Sequence, residues 1–162
     1  MRKMNFAQGE YYHLYNRGNS KQKIFSDRRD YSRFQKLLYL ANSSDRFHFP
    51  DVEDPYAVER PERLVSIGAY CLMPNHFHLL ITPGEGDVSK FMKKLGTSYS
   101  MYFNTKHERV GGLFEGKFKS EHLDSDRYLK YLFSYIHLNP LKITDKEWKE
   151  HGVKNKDKAW QF

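Results

Sequence analysis

Tyr70-Cys71-Leu72-Met73-Pro74-Asn75-His76-Phe77-His78-Leu79-Leu80-Ile81 is the stretch on which the reading of this chain turns. Pro74-Asn75 is a turn signal between two apolar runs, so Leu64 to Leu72 and His76 to Thr82 read as an antiparallel pair of strands. Alternate residues of a strand share a face, which sends Phe77, Leu79 and Ile81 to one side and His76 and His78 to the other. The apolar side would pack on helices. The other side carries two imidazoles about 7 Å apart along the backbone, at ~3.3 Å of rise per residue. Read by themselves, such histidines are either cation ligands or hydrogen-bonded sheet residues. Cys71 has the parity of Val65, Ile67 and Ala69 and reads as buried core rather than as a third ligand.

Working outward, Glu10 to Asn16 is an aromatic-rich strand closed by Arg17-Gly18-Asn19. Asp27 is placed to cap a helix to about Ala41, with Tyr31, Phe34, Leu37 and Leu38 at helical spacing. Residues 42 to 63 are acidic and carry Pro55 and Pro61, and read as an exposed loop. Asp87 caps a helix to Lys106, whose Val88, Phe91, Met92, Leu95, Tyr99, Tyr102 and Phe103 form one stripe. Gly96 inside it suggests close packing, and Lys93 and Lys94 its wet side. Gly111-Gly112 leads into a last strand over Leu113 to Leu123, and a final helix runs from Asp126 to Leu138, stopped by Asn139-Pro140. The order β-α-β-β-α-β followed by α is the ferredoxin-like α+β arrangement: an antiparallel sheet, two helices on one face, and a C-terminal helix free to cover the other.

The chain has 162 residues and carries 27 Lys plus Arg against 20 Asp plus Glu, a net charge of +7. That length suits one domain, 1–162, with a core that needs no disulfide. The excess charge favours a polyanionic partner. Aromatic residues make up 16%, which argues against disorder. One cysteine excludes an internal disulfide or a multi-cysteine zinc module, and no apolar run reaches the ~20 residues of a membrane span; the expected location is the cytosol.

A second constellation is Tyr131-Leu132-Phe133-Ser134-Tyr135-Ile136-His137-Leu138-Asn139-Pro140. Tyr131, Tyr135 and Asn139 follow one another at i, i+4 and i+8 along a helix. They read either as core aromatics with a helix terminator, or as a nucleophile with a neutral oxygen ligand one turn on. His122 and His137 read as structural, with nothing to pair His122.

Cys71 to Ile81 resembles the His-hydrophobic-His motif of single-tyrosine HUH endonucleases, and more narrowly of insertion-sequence transposases and REP-associated tyrosine transposases. Tyr131 to Pro140 is similar to that family's nucleophile helix, and Gly112-Leu-Phe-Glu-Gly-Lys-Phe-Lys-Ser120, Tyr12-His13 and Asn16-Arg17-Gly18 match further segments. The likeness spans about residues 10–142; the tail 143–162 is ambiguous. Family members usually continue past this tail, so the chain is expected to be truncated relative to them, which puts C-terminal DNA or dimer contacts in doubt. The resemblance implies a transposase that nicks and rejoins single-stranded or hairpin DNA without ATP, as a homodimer. Tyr135 would attack the phosphodiester, leaving a 5′-phosphotyrosine and a free 3′-OH, with Mg²⁺ or Mn²⁺ held by His76, His78 and Asn139. Imidazole is a poor match to Mg²⁺, so weak binding in DNA-free protein and good support from Mn²⁺ are expected. Single strands are gripped by basic tracks and aromatic rings, and Arg17, Lys117 and Lys119 are expected on phosphates, with Lys117 and Lys119 sharing a strand face. Tyr12 and His13 are expected to line the DNA pocket, with a place in the core the equal alternative for Tyr12. Two rivals are a non-cleaving nucleic-acid-binding module of the same topology, as in RNA-recognition domains, and a phosphohydrolase with no covalent intermediate.

Overall fold

Asp27 accepts from the backbone N–H groups of Arg29 and Asp30 and starts α1 (Arg28–Leu40); Asp87 accepts from Ser89 N and starts α2 (Val88–Lys106). These caps and the apolar stripes behind them set two helices side by side on one face of a sheet. The strands are β1 (Tyr11–Arg17), β2 (Val65–Met73), β3 (His76–Pro83) and β4 (Lys119–Leu123), and Ser125 caps α3 (Asp126–Leu138), followed by a short α4 (Leu141–Thr144). The computed structural model describes residues 5–49, 52–144 and 150. The tail assigned as ambiguous lies almost wholly outside them.

All neighbouring strands run antiparallel in the order β2-β3-β1-β4, the ferredoxin-like arrangement expected. Each face has its own core. Tyr12, Leu14, Phe77, Leu79 and Ile81 meet Phe34, Leu37, Phe91, Leu95 and Tyr99 beneath α1 and α2. On the opposite face Leu132 and Ile136 of α3 lie on Ala69, Cys71, Met73, Leu80 and Leu123. Each such fully buried side chain stabilises the fold by about 1.5–3 kcal/mol, so α3 is seated by a few apolar contacts at a fixed position on the sheet. Among the described residues, no helix is long and apolar enough to cross a membrane.

The structure departs from the expected layout in five places. The register slips between Ile67 and Ala69, a bulge that shifts strand parity. Val65 therefore faces α1 and α2 while Ala69, Cys71 and Met73 face α3. Cys71 is buried, as read, but it lies on the histidine side, opposite His78 in register. The last strand starts at Lys119 rather than Leu113. Gly116 takes φ +69°, a left-handed turn that breaks the extended run, and the residues before it pair back as strand only through an isolated bridge from Phe114 to Gly18 among the described residues. Gly18 is needed there, since an added Cβ would sit 2.2 Å from Gln22 O. The helical Gly96 has open space about it, not a close neighbour. Lys94 is not simply solvated, because its ammonium donates to Ser43 O and Asp45 O and ties the 42–63 loop to α2. That loop is pinned again where the Asn42 amide brackets Val65 N and O.

Candidate active site on the histidine face

His76 and His78 stand on β3, a central strand, with rings 5.0 Å apart and nearly perpendicular. His76 Nδ1 lies 2.7 Å from Asn75 Oδ1. The Asn75 amide nitrogen is committed to Lys21 O, so its oxygen faces the imidazole. An amide oxygen only accepts, so His76 carries its proton on Nδ1 and presents Nε2 as a bare lone pair. His78 is 8% exposed, and its Nε2 is buried with no hydrogen-bond partner among the described residues.

The tyrosine helix reaches these groups. Ser125 starts α3, and the buried pair Leu132 and Ile136 rotates it so that Tyr135 lies at the rim of the interface and Asn139 beneath it. The Tyr135 ring meets the His78 ring edge-on at 5.4 Å within the same chain. Tyr131 stacks on Tyr135 at 6.2 Å but is 59% exposed, on the solvent side. Asn139 is wholly buried, and neither amide atom makes a hydrogen bond of normal geometry among the described residues. Buried polar atoms are usually paired. The bare Nε2 of His76, the unpartnered Nε2 of His78 and an unpaired amide oxygen are a donor set that fits a divalent cation taking neutral N and O ligands. Among the described residues, no three His, Cys, Asp or Glu side chains cluster as ligands.

Electrostatics keep this pocket uncharged. Burial, with His13, His76 and Lys142 adding to it, holds His78 down to about 3. Burial also lowers His76, with Lys142 reinforcing, and lowers His13 against the pull of Glu121. Burial raises the Tyr135 phenol, with Tyr131 and Cys71 adding to it. The Asn139 amide lies near enough to favour the phenolate, though outside hydrogen-bond geometry. Lys142 Nζ sits 5.9 Å from the Tyr135 ring centre. Cys71 is pushed up to about 12 by burial, which makes it a poor thiolate ligand.

The residues expected on DNA separate. Tyr12 is 3% exposed in the helix-side core, where its hydroxyl accepts from Ala7 N; strand parity turns it away from the histidines, so it does not line the pocket. His13 is on the right face but buried, with Nε2 2.8 Å from His78 Nδ1, which makes it a neighbour of the site rather than an exposed contact. Arg17 and Lys119 line a cleft of about 320 Å³ together with Tyr15, Lys21 and His76, so this cleft opens on the first of the two histidines. Arg17 is already paired with Glu115, bidentate through Nε and Nη2. Lys117, put off the strand by Gly116, lines a different groove along α2, so it shares no strand face with Lys119. His122 does have a partner, Glu10, at 2.8 Å. Sequence reasoning missed Lys142, at the very end of the matched stretch and past the helix-stopping Asn139-Pro140. It also missed Glu121, whose β4 parity with Lys119 was visible but whose position across β1 from the histidines was not.

The family model for IS200-like transposases matches residues 60–139, which include both histidines, Tyr135 and Asn139. A solved REP-associated tyrosine transposase bound to a REP hairpin is similar over 88% of this chain and 73% of its own, at 15% identity and a TM-score of 0.59. A candidate transposase from Deinococcus radiodurans matches over 84% and 95% at 16% identity, and its TM-score of 0.45 is too low to bear on the fold. No curated protein matches in sequence. The kinship read from the three motifs holds, and this chain is related to the IS200-like transposases.

Proposed function

We propose that this protein is a DNA strand transferase that cuts and rejoins single-stranded or hairpin DNA through a covalent 5′-phosphotyrosyl link to Tyr135. The observation that carries the reading is the edge-on contact of Tyr135 with His78, beside buried and unpaired His78 Nε2 and Asn139 amide atoms. The REP hairpin held by a protein of the same fold supports hairpin DNA as the substrate class.

His76, His78 and Asn139 would hold Mg²⁺ or Mn²⁺, which when bound would supply Lewis-acid stabilisation of charge on the scissile phosphate. Tyr135 Oη attacks phosphorus, the bond to the 3′ oxygen breaks, and the 3′-OH departs with a proton. The phosphodiester energy is kept in the phosphotyrosyl bond, so the reverse attack by a 3′-OH rejoins strands without ATP. Burial keeps the resting phenol protonated, and Lys142 supplies positive charge where the phenolate must form. Lys119 and Lys21, with Arg17 if Glu115 releases it, line the cleft through which the phosphate chain reaches His76. Each copy carries its own tyrosine and histidines, so the expected homodimer in the cytosol needs no exchange of helices to complete a site.

The non-cleaving module is disfavoured by α3, which covers the sheet face that such modules keep open for bases. Incubating the protein with labelled hairpin DNA and Mn²⁺, then denaturing it, decides the matter. Wild type should give a covalent adduct and Tyr135→Phe none, with DNA binding retained and Tyr131→Phe still active. Free cleaved product without adduct, or adduct surviving in Tyr135→Phe, refutes the proposal.

A further inference from the structure

Behind the site runs a chain of groups that crosses the sheet. His78 Nδ1 lies 2.8 Å from His13 Nε2 on β1, and the two rings are stacked. His13 Nδ1 in turn lies 3.8 Å from Glu121 Oε2 on β4. Glu121 is held in place by two phenols, Tyr15 donating to Oε1 at 2.8 Å and Tyr128 to Oε2 at 2.9 Å.

With both imidazoles in their neutral form, the 2.8 Å contact between them holds one proton, and there are two ways to place it. In the first, His13 Nε2–H donates to His78. Its own Nδ1 lone pair then faces a carboxylate, and His78 Nε2–H becomes a buried donor with no partner. In the second, His78 Nδ1–H donates to His13, His13 Nδ1–H faces Glu121, and His78 Nε2 is bare. The first arrangement sets a lone pair against a negative charge and orphans an N–H; the second does neither.

We propose that Glu121, acting through His13, is a positioning residue that locks His78 in the tautomer whose bare Nε2 faces the site. The inference rests on the reading of His78 as a cation ligand. Groups behind a metal-bound histidine set its ring orientation and tautomer, and their loss typically costs 10–100-fold in metal affinity. His13 is thus withdrawn from the DNA surface and given a task behind it.

The test uses the full-length protein with ¹⁵N-labelled histidine. Imidazole ¹⁵N spectra of metal-free protein report the tautomer, and Mn²⁺ titration followed by the electron-spin signal of the free ion reports affinity. Wild type should show His78 protonated on Nδ1. Glu121→Gln should mix the tautomers and weaken Mn²⁺ binding 10–100-fold. The double variant Tyr15→Phe/Tyr128→Phe removes the struts but keeps the charge, and should retain the wild-type tautomer. If Glu121→Gln does not fold, His13→Phe, which keeps a stacked ring and removes the acceptor, should show the same mixing.

A wild-type His78 protonated on Nε2 overturns the inference. So does Glu121→Gln with an unchanged tautomer and Mn²⁺ affinity within twofold, or a double tyrosine variant that mixes tautomers as fully as Glu121→Gln. Wild type that binds no Mn²⁺ refutes the metal reading instead, and the metal-free spectra still decide the tautomer.

Discussion

Asn139→Leu keeps the branched shape of the side chain and removes its polarity. The wild-type amide is wholly buried with both polar atoms unpaired among the described residues, and a buried polar group in that state costs about 1–3 kcal/mol. Leucine has the same number of heavy atoms beyond Cβ, so the substitution should recover about 1–2 kcal/mol after some crowding by its methyl groups. For a chain of 162 residues, that is a rise in Tm of roughly 2–8 °C. Thermal unfolding in EDTA reads this directly. Mn²⁺ at a hundred times its Kd should stabilise wild type by about 2.7 kcal/mol, and the variant should lose most of that gain along with adduct formation. A variant less stable than wild type in EDTA by more than about 1 kcal/mol, or stabilised by Mn²⁺ as much as wild type, would show that Asn139 is an ordinary structural amide.

The buried histidines make stability acid-sensitive. His78 sits near 3 and His13 and His76 are lowered too, whereas an unfolded imidazole titrates near 6.5. Below 6.5 the unfolded chain binds more protons, so stability is complete above that pH and falls by about 1.4 kcal/mol per unit per neutral histidine, for His78 down to about 3. Urea midpoints between pH 7 and 5 should show a shallower fall in His78→Gln, and equal slopes would contradict the burial argument. Lys142→Met should slow adduct formation on the order of tenfold, the worth of one charged contact at about 1.5 kcal/mol. It should also move the His76 and His78 titrations upward, since Lys142 helps hold them down. Unchanged rate and unchanged titrations would remove Lys142 from the site.

The elements were legible because the apolar period switches cleanly between two and 3.6 along the chain, and Asp27 and Asp87 mark their helices without ambiguity. What misled was local backbone. The positive φ at Gly116 is invisible in an alternating pattern, and it cost the first half of β4 and the placement of Lys117. In the site, His76 with His78 and Tyr135 with Asn139 are near neighbours in sequence, so spacing alone groups each pair. His13 and Glu121 belong to strands that become neighbours of the histidines only through the order β2-β3-β1-β4. Glu121 lies directly opposite His13 in register and His13 meets His78 diagonally, and no window of sequence reports either contact. Tyr12 shows the converse: the sequence puts it on the first strand, but strand parity alone decides which face it serves.

The irregularity at Ile67 and Ala69 means that β2 changes allegiance partway along its length. Its opening residues furnish one interior and its closing residues the other, so the strand works like a key cut on both edges. Point substitutions there alter a single tooth. Losing one residue at Gly68 would instead turn Cys71 and Met73 outward from the floor on which Leu132 and Ile136 rest, and so unseat the tyrosine from a distance. The count of residues in a strand that supplies none of the proposed reacting groups is thereby a condition of the chemistry.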